Sequence, residues 1–225
     1  MINIIKFQYK LLFAEKTTLI YMGCIYILCV TVVPLYWQER FFSLVGILSL
    51  NFIVQIGPRL FVGEKENDTL ETLISTPYEV ETIFMGKTLF CFSVLCIMFY
   101  LSVGGTAFLS LFCGLNIFEG TWKEILLIIA LIPLAFFIAS YHAASISLKT
   151  DDSKVCAVKL IGIMILYAVL INCVLIILTT PSLITSVTVI LFYIVIMIGV
   201  LFILYNRNRK ILKKSIVFSC MGRVS

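Results

Sequence analysis

Residues 183–205 read LITSVTVILFYIVIMIGVLFILY, a run without a single charged side chain. A helix that crosses the hydrocarbon core of a bilayer needs about 20 apolar residues, so this run is long enough to span a membrane. Five further apolar runs precede it along the chain, at 17–37, 41–62, 83–111, 125–148 and 158–178. The sequence therefore predicts an all-α, polytopic membrane protein, a single domain of six transmembrane helices.

The composition favours the same fold class. Of the 225 residues 61% are hydrophobic and only 13% are charged. A water-facing surface needs more charge than this, whereas lipid solvates an apolar exterior. No small-residue cleavage site follows the first apolar run, so no cleavable signal peptide is expected. Most of the eight cysteines fall inside predicted spans without metal-ligand spacing, and we predict neither a disulfide nor a metal site.

The distribution of the cations predicts the orientation. Six spans place both termini on one side, and of the 17 lysines and arginines only Arg40 and Lys123 fall on the other side. Cytoplasmic loops carry the excess of Lys and Arg, so both termini are predicted to be cytoplasmic, in the inner membrane of a prokaryotic cell. The basic tail 206–225 is expected to touch anionic lipid head groups, and no nucleic-acid partner is expected.

The N-terminal residues 1–16 predict an amphipathic interfacial helix. Ile4, Phe7 and Leu11 share one stripe, and Lys6 and Lys10 lie on another face. Such a helix lies along the inner membrane surface before the first span turns inward. A frayed leader is the alternative interpretation.

The longest polar interruption of the chain, residues 59–87, holds six of the twelve acidic residues. Asp68 with Glu71 forms the pattern of a capping box, and Leu70, Leu73 and Ile74 then share one apolar face. The segment therefore begins a short helix in the middle of the interruption.

A second helix start follows at once. Pro77 stands at a first helical position after Thr76, and Glu79 follows three residues after Thr76. Two successive starts predict a compact helical elbow over residues 63–82 at the cytoplasmic membrane surface. Its acidic and apolar side chains suit docking by another protein.

The elbow sequence is also where a family resemblance becomes visible. Residues 63–77 read GEKENDTLETLISTP and are followed by Gly86-Lys87. This resembles the signature of the type-2 ABC transporter permeases, approximately E-x-E-x-x-T-L-E-x-L-L-x-[ST]-P and then G-K. The stretch also lies between the second and third of six spans, as it does in that family.

The resemblance implies a permease that pairs with a second permease, either an identical copy or a homologue, and with cytoplasmic ATPase subunits. The loop after the second span would carry the coupling helix, with these residues contacting the ATPase: Glu64, Glu66, Thr69, Leu70, Glu71, Leu73, Ile74, Thr76 and Pro77. A second coupling loop would contain Asp151, Asp152 and Lys154. One departure is the connection between the last two spans, which is too short, at 179–182, for the re-entrant helices of many relatives.

No catalytic site is predicted in this chain, and it is not expected to be an enzyme. Gly86-Lys87-Thr88 resembles the end of a phosphate-binding loop, but Glu81 stands where that loop needs its first glycine. No cofactor is therefore expected on this chain, and ATP and Mg are expected on the partner subunit. An intramembrane enzyme or a stand-alone ion-coupled transporter needs ionisable groups in its spans, and these are almost missing.

We therefore expect the permease subunit of an ABC exporter, with a haem-exporter-like subunit as the closest alternative and a stand-alone membrane transporter as a more distant one. Membrane lipids are further expected partners. His142, the only histidine, is interpreted as a packed or pore-edge residue. Arg59 is interpreted structurally, either extended toward lipid head groups or paired with an acid of the elbow. The small residues Ala135, Ala139 and Ala143 favour close packing within the chain, with a subunit interface as the alternative.

Overall fold

The chain is helical in a computed structural model that describes residues 2–36, 41–66, 80–114, 122–178 and 183–221, and no strand occurs in these ranges. Two π-helical turns, Leu28–Val32 and Leu127–Leu131, join α2 to α3 and α6 to α7. The predicted all-α class is confirmed. The helices are α1 (Ile2–Ala14), α2 (Lys16–Ile27), α3 (Val33–Tyr36), α4 (Phe41–Glu66), α5 (Val80–Cys113), α6 (Trp122–Leu126), α7 (Ile132–Lys149), α8 (Ser153–Leu178) and α9 (Leu183–Met221).

Five helical segments of the described chain are long and apolar enough to cross a membrane: Phe41–Glu66, Val80–Phe112, Glu124–Lys149, Ser153–Cys173 and Val187–Arg209. They correspond to the last five predicted spans. The predicted first span lies in the second arm of a bent pair, Ile4–Phe13 and Lys16–Val32, whose axes meet at 85°. A sixth span results only if this pair counts as one broken span, so the number six stays a prediction.

Helix α4 lies at the centre of the bundle. In its apolar part 61% of the residues are buried, against 22% in Val187–Arg209, and α4 packs against α5, α7 and α8. In lipid, helices associate through close packing and not through the hydrophobic effect. Gly57 of α4 lies at such a close contact, because a Cβ added there would stand 2.4 Å from Leu160 Cδ1 of α8.

The small-residue face of α7 is also part of the interior. Ala135, Ala139 and Ala143 are completely buried within this chain. Short side chains at a spacing of four let two helix backbones approach each other. The interpretation as close packing within the chain is confirmed.

Helix α1 packs along α5 with one face and leaves another face exposed. Tyr9 and Ser93 share a hydrogen bond of 2.7 Å between their hydroxyl oxygens, and Gln8 and Leu12 are buried. Phe7 and Leu11, two members of the predicted apolar stripe, are exposed. A position of this exposed stripe at the membrane surface stays a prediction.

Both π turns precede a proline, Pro34 and Pro133 respectively. Proline has no N–H, so in the π register Pro133 cannot donate to the carbonyl of Ile128, five residues earlier. The Tyr100 hydroxyl of α5 donates to that carbonyl instead, at 3.2 Å. A neighbouring helix thus satisfies the backbone group that the helix break releases, as the apolar interior of a membrane requires.

Candidate functional site

One end of the bundle gathers the ion pairs of the described chain. There the C-terminal end of α4 meets the start of α5, the turn between α7 and α8, and the bend between α1 and α2. We call it the basic end, because Arg59, Lys65, Lys87 and Lys149 lie there. The cation distribution predicts that this end faces the cytoplasm.

A buried ion pair joins α4 to α5. The Lys87 ammonium donates to the Glu64 carboxylate and to the Leu60 carbonyl, and it lies 4.3 Å from the centre of the Phe61 ring. The Lys87 side chain is fully buried, and the Glu64 side chain is 17% exposed. A buried cation is costly unless its charge and its donors are paired, so these contacts hold the start of α5 against the end of α4.

The next residue of α4, Lys65, binds the turn between α7 and α8. Its Nζ donates to the carbonyls of Leu148 at 2.7 Å and Thr150 at 3.1 Å, and to Asp151 Oδ1 at 2.8 Å. The hydrogen bond and the positive charge of Lys65 lower the pKa of Asp151 below its ordinary value. Two carbonyl acceptors and one carboxylate leave this ammonium fully paired.

Glu66 and Ser147 strengthen the same connection. Glu66 Oε1 accepts the Ser153 N–H at 2.9 Å, at the first residue of α8. One turn earlier in α4, the Ser147 hydroxyl oxygen accepts the N–H groups of Phe61 at 3.0 Å and Val62 at 3.3 Å. The C-terminal end of α4 is therefore hydrogen-bonded to α7, to the turn and to α8.

Arg59 binds the bend between α1 and α2. Its guanidinium contacts the Glu15 carboxylate and donates to Thr18 Oγ1 at 2.8 Å, while Thr18 donates to Glu15 at 2.9 Å. The structural interpretation of Arg59 holds, but its carboxylate partner is Glu15 and not an acid of the elbow. The sequence suggested an elbow acid because those acids are near in sequence, whereas the bend is near in space.

The structure places five of the predicted coupling residues. Glu64 and Glu66 lie in the last turn of α4, and both have partners within the chain. Asp151 pairs with Lys65, and Asp152 Oδ1 caps α8 by accepting the N–H groups of Lys154 at 2.7 Å and Val155 at 3.4 Å. Their roles toward a partner stay predictions. The remaining ones lie outside the described residues: Thr69, Leu70, Glu71, Leu73, Ile74, Thr76 and Pro77.

The predicted elbow 63–82 is described only at its two ends. Residues 63–66 form the last turn of α4, and residues 80–82 form the first turn of α5. Gly86-Lys87-Thr88, the fragment that resembles a phosphate-binding loop, lies inside α5 with Lys87 and Thr88 fully buried. A phosphate-binding loop needs exposed backbone N–H groups ahead of a helix, and a helix interior offers none.

Sequence reasoning missed three residues that join the end of α4 to its neighbours, namely Lys65, Lys87 and Ser147. Lys87 carried a usable signal, since a lysine at the edge of an apolar span is expected to have a named partner. Ser147 carried none, because a serine among small residues is equally typical of simple close packing.

The residues of the described chain contain no group of three or more His, Cys, Asp and Glu side chains that could hold a metal ion. A scan of known protein families found no match to the chain, and searches of curated proteins and of solved structures found none either.

Proposed function

We propose that this chain is the transmembrane permease subunit of an ABC exporter, which forms the substrate path and couples to a separate ATPase subunit. The observation that carries the proposal is the position of the end of α4. It is bound both to the start of α5, by Glu64 and Lys87, and to the α7–α8 turn, by Lys65, Glu66 and Asp151. The end of α4 begins the elbow, and the α7–α8 turn is the second loop; the family resemblance assigns the ATPase contacts to these two segments.

Coupling requires a stiff connection between the site that the ATPase moves and the helices that line the path. The contacts of Lys87, Lys65 and Glu66 make the ends of α4, α5, α7 and α8 one hydrogen-bonded unit. The same α4 is the most buried of the five candidate spans. A force on the elbow would therefore reach the centre of the bundle, where two packing arrangements would correspond to inward and outward access.

Co-purification tests the proposal. The chain, tagged at its C-terminus and extracted gently from native membranes, is expected to bring with it a stoichiometric subunit that has a phosphate-binding loop and vanadate-sensitive ATPase activity. If the chain purifies alone and forms no complex with candidate ATPases, the permease proposal is wrong.

Substitutions in the elbow test the docking assignment separately. Leu70→Asp and Leu73→Asp are each expected to abolish recovery of the ATPase while the chain stays in the membrane, because a charge replaces the apolar face of the predicted helix. Thr72→Asp is the matched control, since position 72 lies on the opposite face of that helix and should keep the ATPase. Normal ATPase recovery with both leucine variants would show that the partner docks elsewhere.

A further inference from the structure

The basic end carries a second polar cluster, on the side formed by α7 and α9. His142, Ser145 and Lys149 follow each other on α7 at spacings of three and four, which places them on one face of the helix. Asn208 lies beside them on α9, and Arg207 precedes it in that helix. We call these five residues the α7–α9 cluster.

Asn208 organises the cluster. It is completely buried, and its Oδ1 accepts the Ser145 hydroxyl at 2.6 Å and the Lys149 ammonium at 3.3 Å. Lys149 Nζ also donates to Ser145 Oγ at 3.1 Å. Arg207, the residue before Asn208 on α9, is exposed. Neutral oxygen acceptors thus bind Lys149 in the cluster, and Arg207 is the chain neighbour of one of them, Asn208.

The two cations of the cluster form no ion pair with a carboxylate of the described chain. Arg59, Lys65 and Lys87 each form an ion pair with a carboxylate, whereas none joins Lys149 or Arg207 to a described one. Two more polar atoms, Asn208 Nδ2 and His142 Nδ1, are buried without a hydrogen-bond partner among the described residues. Cations without a carboxylate partner and unsatisfied polar atoms both indicate a site that is completed by an anion with oxygen acceptors.

We propose that the α7–α9 cluster binds a phosphate group, supplied by the head group of an anionic phospholipid. Lys149 and Arg207 provide the positive charge, and the guanidinium fork matches two phosphate oxygens. The site opens onto lipid rather than onto water alone, because α9 presents exposed Phe202, Ile203 and Tyr205 within two turns of Arg207. Basic sites between membrane helices at the cytoplasmic surface are suited to anionic head groups.

Lipid binding to the purified chain tests the proposal. The delipidated full chain is titrated with phosphatidylglycerol or phosphatidylcholine, and bound lipid is counted by native mass spectrometry. The chain is expected to prefer phosphatidylglycerol. Lys149→Gln and Arg207→Gln are each expected to weaken its binding by about fivefold, the effect of one basic residue near an anionic membrane surface. Arg207 is exposed, so R207Q reports on the site even if K149Q folds poorly.

The control is Lys159→Gln, which removes the same charge from an exposed position on α8 at the same end of the bundle. It is expected to leave phosphatidylglycerol binding unchanged. An equal loss with K159Q would mean general attraction to the basic end and would overturn the proposal, as would equal binding of the two lipids. Displacement of phosphatidylglycerol by an equal concentration of inorganic phosphate would identify a soluble phosphate as the ligand and would overturn the lipid source.

Discussion

At the scale of single residues, Gly57 sets the distance between α4 and α8. A Cβ there would stand 2.4 Å from Leu160 Cδ1, and Leu160 is fully buried, so it can move only by displacing its own neighbours. Gly57→Ala is expected to destabilise the protein by about 1–3 kcal/mol, the usual cost of an added methyl group in a well-packed interior. Thermal unfolding in mild detergent measures this.

Gly63 provides the control for this substitution, because it lies in the same helix and a Cβ there would meet nothing within 4 Å. Gly63→Ala should leave the stability unchanged or raise it slightly, since alanine is the better helix former. Equal melting temperatures for G57A and G63A would show that α4 and α8 are not in close contact.

Substitution of Lys87 is expected to lower the stability of the protein most. Lys87→Met removes the partner of the Glu64 carboxylate and the donor to the Leu60 carbonyl, in a place where water does not replace them. Breaking one side of a buried ion pair costs roughly 3–5 kcal/mol, so K87M is expected to be poorly folded or far less heat-stable. Lys154→Met, which removes an exposed lysine, should behave like the unmodified protein in the same unfolding assay.

A second substitution separates the ion pair from the loss of packing. Lys87→Met combined with Glu64→Gln removes both charges of the pair, and part of the lost stability should return. If the double variant is as unstable as the sum of the two single variants, the two side chains do not interact.

At the scale of the elements, Lys65 decides how firmly α4 holds the α7–α8 turn. Lys65→Met removes two hydrogen bonds to carbonyls and one to Asp151, whereas Asp151→Asn removes only the charge of the last partner. The Asp151 side chain is 88% exposed, so its pairing contributes less than about 1 kcal/mol. K65M is therefore expected to be clearly less heat-stable than D151N.

The Asp151 contribution depends on pH with a defined sign. Lys65 lowers the pKa of Asp151 from its ordinary 3.8, so the folded chain holds this proton less tightly than the unfolded chain. The stabilisation is complete above about pH 4 and is lost as the pH falls through the lowered value. The difference in melting temperature between the unmodified protein and D151N should vanish on acidification. A difference that grows on acidification would contradict the pairing.

The helices themselves were readable from the sequence because their apolar runs are long, but several ends were not. The fifth predicted span was placed at 158–178, whereas α8 begins at Ser153, because Asp152 caps the helix with its carboxylate. The segment Asp-Asp-Ser ahead of an apolar run is an N-cap pattern and could have been recognised. Similarly, the second span was predicted to end at 62, and α4 continues to Glu66.

Only part of the candidate site could be predicted from the sequence, for a physical reason. Local patterns indicate helix starts and apolar faces, but they do not indicate contacts between distant parts of the chain. Glu66 meets Ser153 across 87 positions, and Lys65 meets Asp151 across 86. The sequence predicted these two segments separately, and only the packing of α4 against α7 and α8 brings them together.

At the scale of the whole molecule, the bent pair α1–α2 decides how many times the chain crosses the membrane. Arg59 ties its bend to α4, and Tyr9 ties its first arm to α5. Both contacts hold the bend near the basic end, the end at which Lys65 and Lys87 are found. From the bend, the second arm Lys16–Val32 and then α3 (Val33–Tyr36) are the segments that would have to cross to the other side of the membrane.

Reporter fusions at the two termini test whether the second arm crosses the membrane. If the second arm crosses, the chain has six spans, and a reporter at either terminus should indicate the cytoplasm. If it does not cross, the five remaining spans place the two termini on opposite sides. Green fluorescent protein, which fluoresces after cytoplasmic synthesis, and alkaline phosphatase, which is active outside the cytoplasm, are fused to each terminus in turn. A phosphatase inserted in residues 115–121, between α5 and α6, is the control and should be active. Phosphatase activity at the N-terminus together with fluorescence at the C-terminus would refute the sixth span, and the pair α1–α2 would then be a bent element on one side of the membrane.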